Sequence, residues 1–312
     1  MKNLIFKSFD YFNWFLGIKL FKNANFFSIN LFNHFYKKNI CNHKFLEENL
    51  INDYHYNGFA KLNKIDEKLV NDLNIELKNQ NLNKEKNNQI NFKITPKIFD
   101  IVKKIINKDL SESLSLLEKY YNQKISLAYL TISRNYETPK NYNNESFYVS
   151  KEAEPYSNFY HTDGYVFNMF KIFINLQDVN ENEGPLHLVK KNKADKFIKL
   201  KKFYSREKYL RSEDSDKKVE DCVFKNTGKL GDALLCNTAE LIHKAGDVSL
   251  NKKRDILFMS FVATPDVQES KDFFYFNEEV LEDKIVKRLS KIPGIRNLIS
   301  FYRRCKKFSL NS

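Results

Sequence analysis

Residues 125–136 read ISLAYLTISRNY, and at this stretch the apolar period of the chain changes. Upstream, apolar residues return every three or four positions. Here they alternate, and β-branched and aromatic residues dominate, the pattern of a half-buried strand. FKIFINLQDV (170–179) repeats the alternation, with Ile172, Ile174 and Leu176 on one face and Phe173, Asn175 and Gln177 on the other. A turn signal, NENEGP (180–185), separates it from a short LHLV (186–189). DALLCNTAELIHKAG (232–246) and RDILFMSFVAT (254–264) complete the strands, divided by Gly-containing turns such as 228–232. Residues from about 194 to 220 are charged and break the pattern, so a helical or loop insertion is expected there.

The segments before residue 124 read differently. YNGFAKLN (56–63) is a short strand pattern that runs into KIDEKLVNDLNIELKN (64–79). There Ile65, Leu69, Leu73 and Leu77 recur every fourth position and Val70 widens the stripe, which predicts an amphipathic helix. A second helical region is expected from about Pro96 to Tyr121, with Ile98, Ile101, Val102, Ile105 and Ile106 inward. Residues 1–50 are aromatic and basic, and are expected to be helical in pieces. Helices followed by many antiparallel strands imply an α+β fold with a mainly β core, closed into a sandwich or barrel. The expected organisation is an N-terminal arm (1–55), a core domain (56–270) and a C-terminal extension (271–312).

Composition narrows the class. With 42% hydrophobic and 29% charged residues, the 312-residue chain has the balance of a globular protein. Cys41, Cys222, Cys236 and Cys305 lie far apart with no C-x-x-C pair, which argues against a disulfide framework and a thiolate zinc site and suits a reducing cytoplasm. Asp10, Asn13 and Lys19 interrupt the aromatic N-terminus before an apolar core of signal-peptide length forms. The formal net charge is +13, and residues 284–307 hold nine Lys or Arg and no acid. Ile285, Leu289, Ile292, Ile295, Leu298 and Ile299 interleave with them at near-helical spacing, split by Pro293-Gly294. Such an extension either packs its stripe on the domain or lies on anionic lipid. No recognition motif accompanies the charge, so nucleic acid is not an expected partner. A small-molecule substrate, anionic to match the basic balance, is expected instead.

The chemistry starts at NFYHTDGY (158–165). In a strand, residues two apart share a face, so His161 and Asp163 can both reach one metal ion. Of the five other histidines, His34, His43 and His55 precede the β region, and His187 reads as a partly exposed strand residue. His243 lies in a late strand 82 positions after His161, where a barrel brings the chain back. Two histidines and a carboxylate on one side of a metal leave open positions and suit non-haem Fe(II). Arg254 follows His243 by 11 residues, at the start of the next strand. A buried arginine there can hold a distal carboxylate through a two-pronged pair, as 2-oxoglutarate requires.

With HTD (161–163), FINLQDVNENEGPLHLV (173–189), GDALLCNTAELIHKAGD (231–247) and KRDILFMSF (253–261), the sequence resembles the phytanoyl-CoA dioxygenase family of Fe(II)/2-oxoglutarate oxygenases. GFAKLNKIDEKLVNDL (58–73) is similar to that family's opening strand and helix, so the resemblance spans about residues 56–265. It implies a double-stranded β-helix of the jelly-roll or cupin type, with N-terminal helices and here a helical C-terminal extension. It implies iron held by His161, Asp163 and His243, the 5-carboxylate of 2-oxoglutarate held by Arg254, and O₂ as co-substrate. Thr131, Arg134 and Thr238 are candidates for a second contact to 2-oxoglutarate. Thr131 and Arg134 are three apart on one strand, so they face opposite ways and at most one serves. Tyr160 and Tyr165 are candidate pocket walls. KKNK (190–193) stands where the family often has a Pro-Gly-Ser-His turn, a departure that bears on that loop and not on the iron ligands.

Halogenating relatives lack the carboxylate, so Asp163 favours hydroxylation or another oxidation; the expected reaction is hydroxylation of a C–H bond in a small-molecule or lipid-, CoA- or sugar-linked substrate, with release of succinate and CO₂. Two other classes keep the same residues: a zinc site for hydrolysis or isomerisation, which leaves Arg254 unexplained, and a catalytically silent module on a membrane surface or partner.

Overall fold

In the computed structural model, the described residues are 41–80, 89–137, 160, 169–191, 193, 222–238 and 241–264. A 3₁₀ turn, His43–Glu47, leads into helix α1 (Asn49–Asn57), which ends at Gly58 in the left-handed conformation (φ 80°). A Cβ at Gly58 would stand 2.6 Å from the Leu241 side chain, so both backbone and space require glycine here. Strand β1 (Phe59–Lys61) and helix α2 (Glu67–Lys78) follow. Asp66 caps α2 by accepting from the Lys68 amide, and Val70, Leu73 and Leu77 are buried, as the four-residue spacing demands. After β2 (Gln89–Asn91), Thr95 caps and Pro96 starts α3 (Pro96–Lys104). The expected helical region to Tyr121 is built in pieces: a π-type segment, Ile105–Asp109, separates α3 from α4 (Ser111–Tyr121). That wider turn keeps Ile105 and Ile106 buried, with Leu110 fully buried where α4 begins.

The strands β3 (Lys124–Tyr136), β4 (Met169–Asn175), β5 (Leu186–Val189), β6 (Val223–Asn226), β7 (Ala233–Cys236), β8 (His243–Ala245) and β9 (Lys253–Thr264) form two antiparallel sheets with β1 and β2. One has six strands in the order β1-β7-β4-β9-β3-β2, the other three in the order β6-β5-β8. The alternation in 125–136 slips once: Leu127 pairs with Phe261, but Tyr129 pairs with Ser260, so Ala128 is the extra residue of a bulge. Past the bulge, Leu130 and Ile132 take over the face that Ile125 and Leu127 held, and Tyr129, Thr131 and Ser133 turn to the other.

Two apolar layers result. Leu130, Ile132, Ile172, Ile174, Leu257, Met259 and Phe261 pack against the helices. On the opposite face Phe59, Phe173, Leu234, Cys236 and Ile256 meet Leu186 and Leu188 of the three-stranded sheet. The expected boundary at residue 55 falls inside α1, whose Ile51 and Tyr54 are buried in the helix-side core, so this end of the expected arm belongs to the domain. The rest of the arm to residue 40, the insertion expected at 194–220 and the extension at 271–312 lie outside the described residues. Among the described residues no helix is long and apolar enough to cross a membrane.

Candidate active site

Arg254 is positioned by the acidic turn between β4 and β5. Asn180 caps the short 3₁₀ turn Glu181–Glu183, and the buried Glu183 carboxylate returns to the Asn180 amide at 3.1 Å. Lys252 adds an ion pair to the other oxygen of Glu183 at 3.3 Å. This ties the turn to the start of β9. Gly184 then adopts φ 68°, and a Cβ there would lie 2.5 Å from the Gly246 carbonyl oxygen. The Gly184 carbonyl accepts a hydrogen bond from an Nη1–H of Arg254.

Arg254 is 4% exposed, and no carboxylate pairs with it among the described residues. Its Nε is buried without a hydrogen-bond partner. Burial pushes the guanidinium down to about 10, which leaves it charged at neutral pH. A buried, charged and incompletely paired arginine costs several kcal/mol unless something offsets it. The chemistry of this donor set, a planar fork with an open N–H, fits a carboxylate.

The register shows what shares a face with it. Asn135 pairs with Arg254, Ser133 with Ile256 and Thr131 with Phe258 on β3; Asn175 and Phe173 of β4 pair with Ile256 and Phe258. Directly paired residues lie on one face, so Arg254, Ile256, Phe258, Thr131, Ser133, Asn175 and Phe173 all look toward the three-stranded sheet. From that sheet His243 enters: it pairs with Leu188, a residue of the inter-sheet core, and is 5% exposed. The Leu241 carbonyl lies 2.9 Å from His243 Nδ1 and can only accept, so Nδ1 carries the hydrogen and the ring is held in one orientation. With Nδ1 engaged in this way, Nε2 is the nitrogen through which the ring could hold a metal.

The other predicted residues separate. His161 and Asp163, the remaining two expected iron ligands, lie outside the described residues, as does Tyr165. Among the described residues no three His, Cys, Asp or Glu side chains converge as a metal site. Arg134 is a correction: it donates from Nε and Nη2 to Asp255 at 2.6 and 2.7 Å, with its guanidinium 5.2 Å from the centre of the Phe92 ring. That pair lies on the helix side of the sheet, opposite to Arg254, and raises the Arg134 pKa. It is a structural ion pair and not a co-substrate contact. Thr131 stays on the Arg254 face, 6% exposed. Thr238 is buried after β7, and no described contact joins it to Arg254.

Tyr160 is a second correction. Its hydroxyl lies 3.3 Å from His187 Nδ1, and the Lys244 ammonium sits 4.7 Å from its ring centroid. His187 and Lys244 pair with each other between positions that face the core, so these contacts set Tyr160 against the outer face of the three-stranded sheet, and no described contact joins it to His243. Burial, then Lys244 and Lys225, push His187 down to about 4. Ser133 and Asn175, each buried, share this face and carry no assignment from sequence: FKIFINLQDV sets Asn175 as a polar residue on the Phe173 face, and the bulge at Ala128 hides the facing of Ser133.

No family model and no curated protein matches the chain. Solved structures do resemble it. HygX from Streptomyces hygroscopicus, with nickel and 2-oxoglutarate bound, is 12% identical over 70% of this chain and 87% of its own, with a TM-score of 0.46. The non-heme alpha ketoglutarate dependent epimerase SnoN from nogalamycin biosynthesis is 11% identical over 74% and 92%, with a TM-score of 0.43. AviO1 from Streptomyces viridochromogenes Tue57 is 14% identical over 69% and 96%, with a TM-score of 0.41. At such identities and scores, the chemistry of this chain has to be argued from its own residues.

Proposed function

We propose that the chain is an Fe(II)- and 2-oxoglutarate-dependent oxygenase of the phytanoyl-CoA dioxygenase type, with a double-stranded β-helix core, hydroxylating a C–H bond of a small anionic substrate. The observation that carries this reading is Arg254. It is a buried cation without a carboxylate partner among the described residues, on the strand after the one that begins with His243 and facing the same inter-sheet space. In this reading His161, Asp163 and His243 hold the iron and Arg254 holds the far carboxylate of 2-oxoglutarate. Bound iron would supply O₂ activation, with 2-oxoglutarate as the two-electron donor, so that R–H, 2-oxoglutarate and O₂ become R–OH, succinate and CO₂.

The protein's share is positioning. The Leu241 carbonyl fixes the His243 ring, and the Gly184 carbonyl aims the Arg254 fork. Phe173, Leu188, Leu234 and Ile256 line the inter-sheet space with apolar surface, which lowers the local dielectric and strengthens the guanidinium–carboxylate pair. The net charge of +13 suits an anionic substrate.

The test is anaerobic reconstitution of the full chain with Fe(II) and 2-oxoglutarate, watched for the visible charge-transfer band of a chelated 2-oxo acid. The expected result is a band in the wild type that His243→Ala abolishes and Arg254→Ala shifts to far higher 2-oxoglutarate concentration. A wild type without the band, or variants that leave it unchanged, ends this reading. A band without succinate formation under O₂ points to the silent module instead.

A further inference from the structure

We infer that Ser133 and Asn175 complete the seat for the distal carboxylate of 2-oxoglutarate, flanking Arg254 and setting the choice of co-substrate. This rests on the oxygenase reading and extends it to residues that neither the motif nor the resemblance singled out. Ser133 and Asn175 are each 1% exposed, and both pair with Ile256, one from β3 and one from β4. Arg254 lies two positions before Ile256 on β9, so it is the diagonal neighbour of both. Diagonal neighbours on one face are about 7–8 Å apart, within reach of an arginine side chain.

Each of the three ends in a buried polar atom without a hydrogen-bond partner among the described residues: Ser133 Oγ, Asn175 Nδ2 and Arg254 Nε. Buried polar groups are nearly always satisfied, so three orphans around one residue mark a place that something else completes. Their chemistry identifies it. A hydroxyl, an amide NH₂ and a guanidinium N–H all donate, and a carboxylate accepts through two oxygens and about four lone-pair sites. An apolar group would leave all three unsatisfied, and a cation would be repelled by Arg254. The surrounding Ile256, Phe173 and Leu186 are apolar, so the polar patch is bounded and matches one small anionic group.

The consequence is selectivity. A 2-oxo acid that ends in a methyl group keeps the iron-chelating end and loses every contact to this patch. Isothermal titration of the full-length, Fe(II)-loaded protein under anaerobic conditions tests this with two probes, 2-oxoglutarate and 2-oxobutyrate. The expected result is tight binding of 2-oxoglutarate by the wild type, weakened about tenfold or more in Ser133→Ala and in Asn175→Leu, with the weak 2-oxobutyrate affinity unchanged. Neither variant should lower the melting temperature of the apoprotein, because each removes an orphan and breaks no described contact of that side-chain atom. If the wild type binds 2-oxoglutarate and both variants bind it equally well, the inference is overturned and the oxygenase reading stands. Equal losses for both probes, or a lower apoprotein melting temperature, assign these residues a packing role and also overturn it. A wild type that binds neither probe removes both proposals.

Discussion

Arg254 and Asp255 are consecutive on β9 and look to opposite faces of the same sheet. On the helix side Asp255 takes both prongs of Arg134, on the face whose aliphatic residues pack against α2, α3 and α4. On the inter-sheet side Arg254 has one described partner, a backbone carbonyl, and its neighbours Ser133 and Asn175 also keep unmatched polar atoms. The helix-side arrangement stabilises the fold. The inter-sheet one lowers stability in the absence of a ligand, since each buried orphan costs about 1–3 kcal/mol. Proteins keep such conflicts where function needs them, which is why this face carries the candidate chemistry.

Matched substitutions of the two arginines break the comparison most directly. Arg254→Leu is expected to weaken 2-oxoglutarate binding by more than about 100-fold while the apoprotein stays as stable or becomes more stable. Arg134→Leu is expected to do the reverse: a loss of about 2–3 kcal/mol in urea unfolding, with the 2-oxoglutarate affinity kept within about twofold. Equal stability losses from both would mean that the two faces do the same job.

Gly184→Ala sharpens the comparison at the turn that aims Arg254. Its φ of 68° and the Gly246 carbonyl 2.5 Å from the added Cβ predict a loss of about 2 kcal/mol. A several-fold weaker 2-oxoglutarate affinity should accompany it as the Gly184 carbonyl shifts. Unchanged urea unfolding would show that the turn tolerates a side chain.

The smallest effect concerns His187, on the outer face of the other sheet. Its folded pKa of about 4 lies below the ordinary 6.5, so the unfolded chain takes up the proton first as pH falls. This residue therefore subtracts stability between about pH 6.5 and 4 and contributes no slope above or below that window. The pH dependence of urea unfolding should be shallower between pH 7 and 5 in His187→Gln than in the wild type. Parallel curves would show that His187 titrates normally.

Much of the fold was legible because strong periodicity reports burial directly. The stripe from Ile65 to Leu77 is found as read, and so are the two faces of 170–179 as far as Asn175, where β4 ends. Local exceptions were not legible. Nothing in the residues around Ile105 announces a wide turn, and nothing in LAYLT distinguishes a bulge at Ala128 from continued alternation. The candidate site divides in the same way. Arg254 stood out because its spacing from His243 carries meaning, whereas the role of Arg134 depends on Asp255, 121 positions away, which no local pattern shows. Ser133 and Asn175 become conspicuous only when the register sets them on either side of Ile256.

The contact between Gly184 and Gly246 bears on how this chain can change over time. Each glycine fills the space that the other's side chain would occupy, since a Cβ on Gly246 would lie 2.4 Å from the Pro185 carbonyl oxygen. The turn before β5 and the one after β8 therefore interlock, and neither can gain a residue without moving the other. The connection from β5 to β6 leaves from the opposite end of β5, at Val189, and spans more than thirty residues. New chain length can accumulate there, while the Gly184 end stays fixed in size. A lineage exploring new substrates would diversify through the first and inherit the second unaltered.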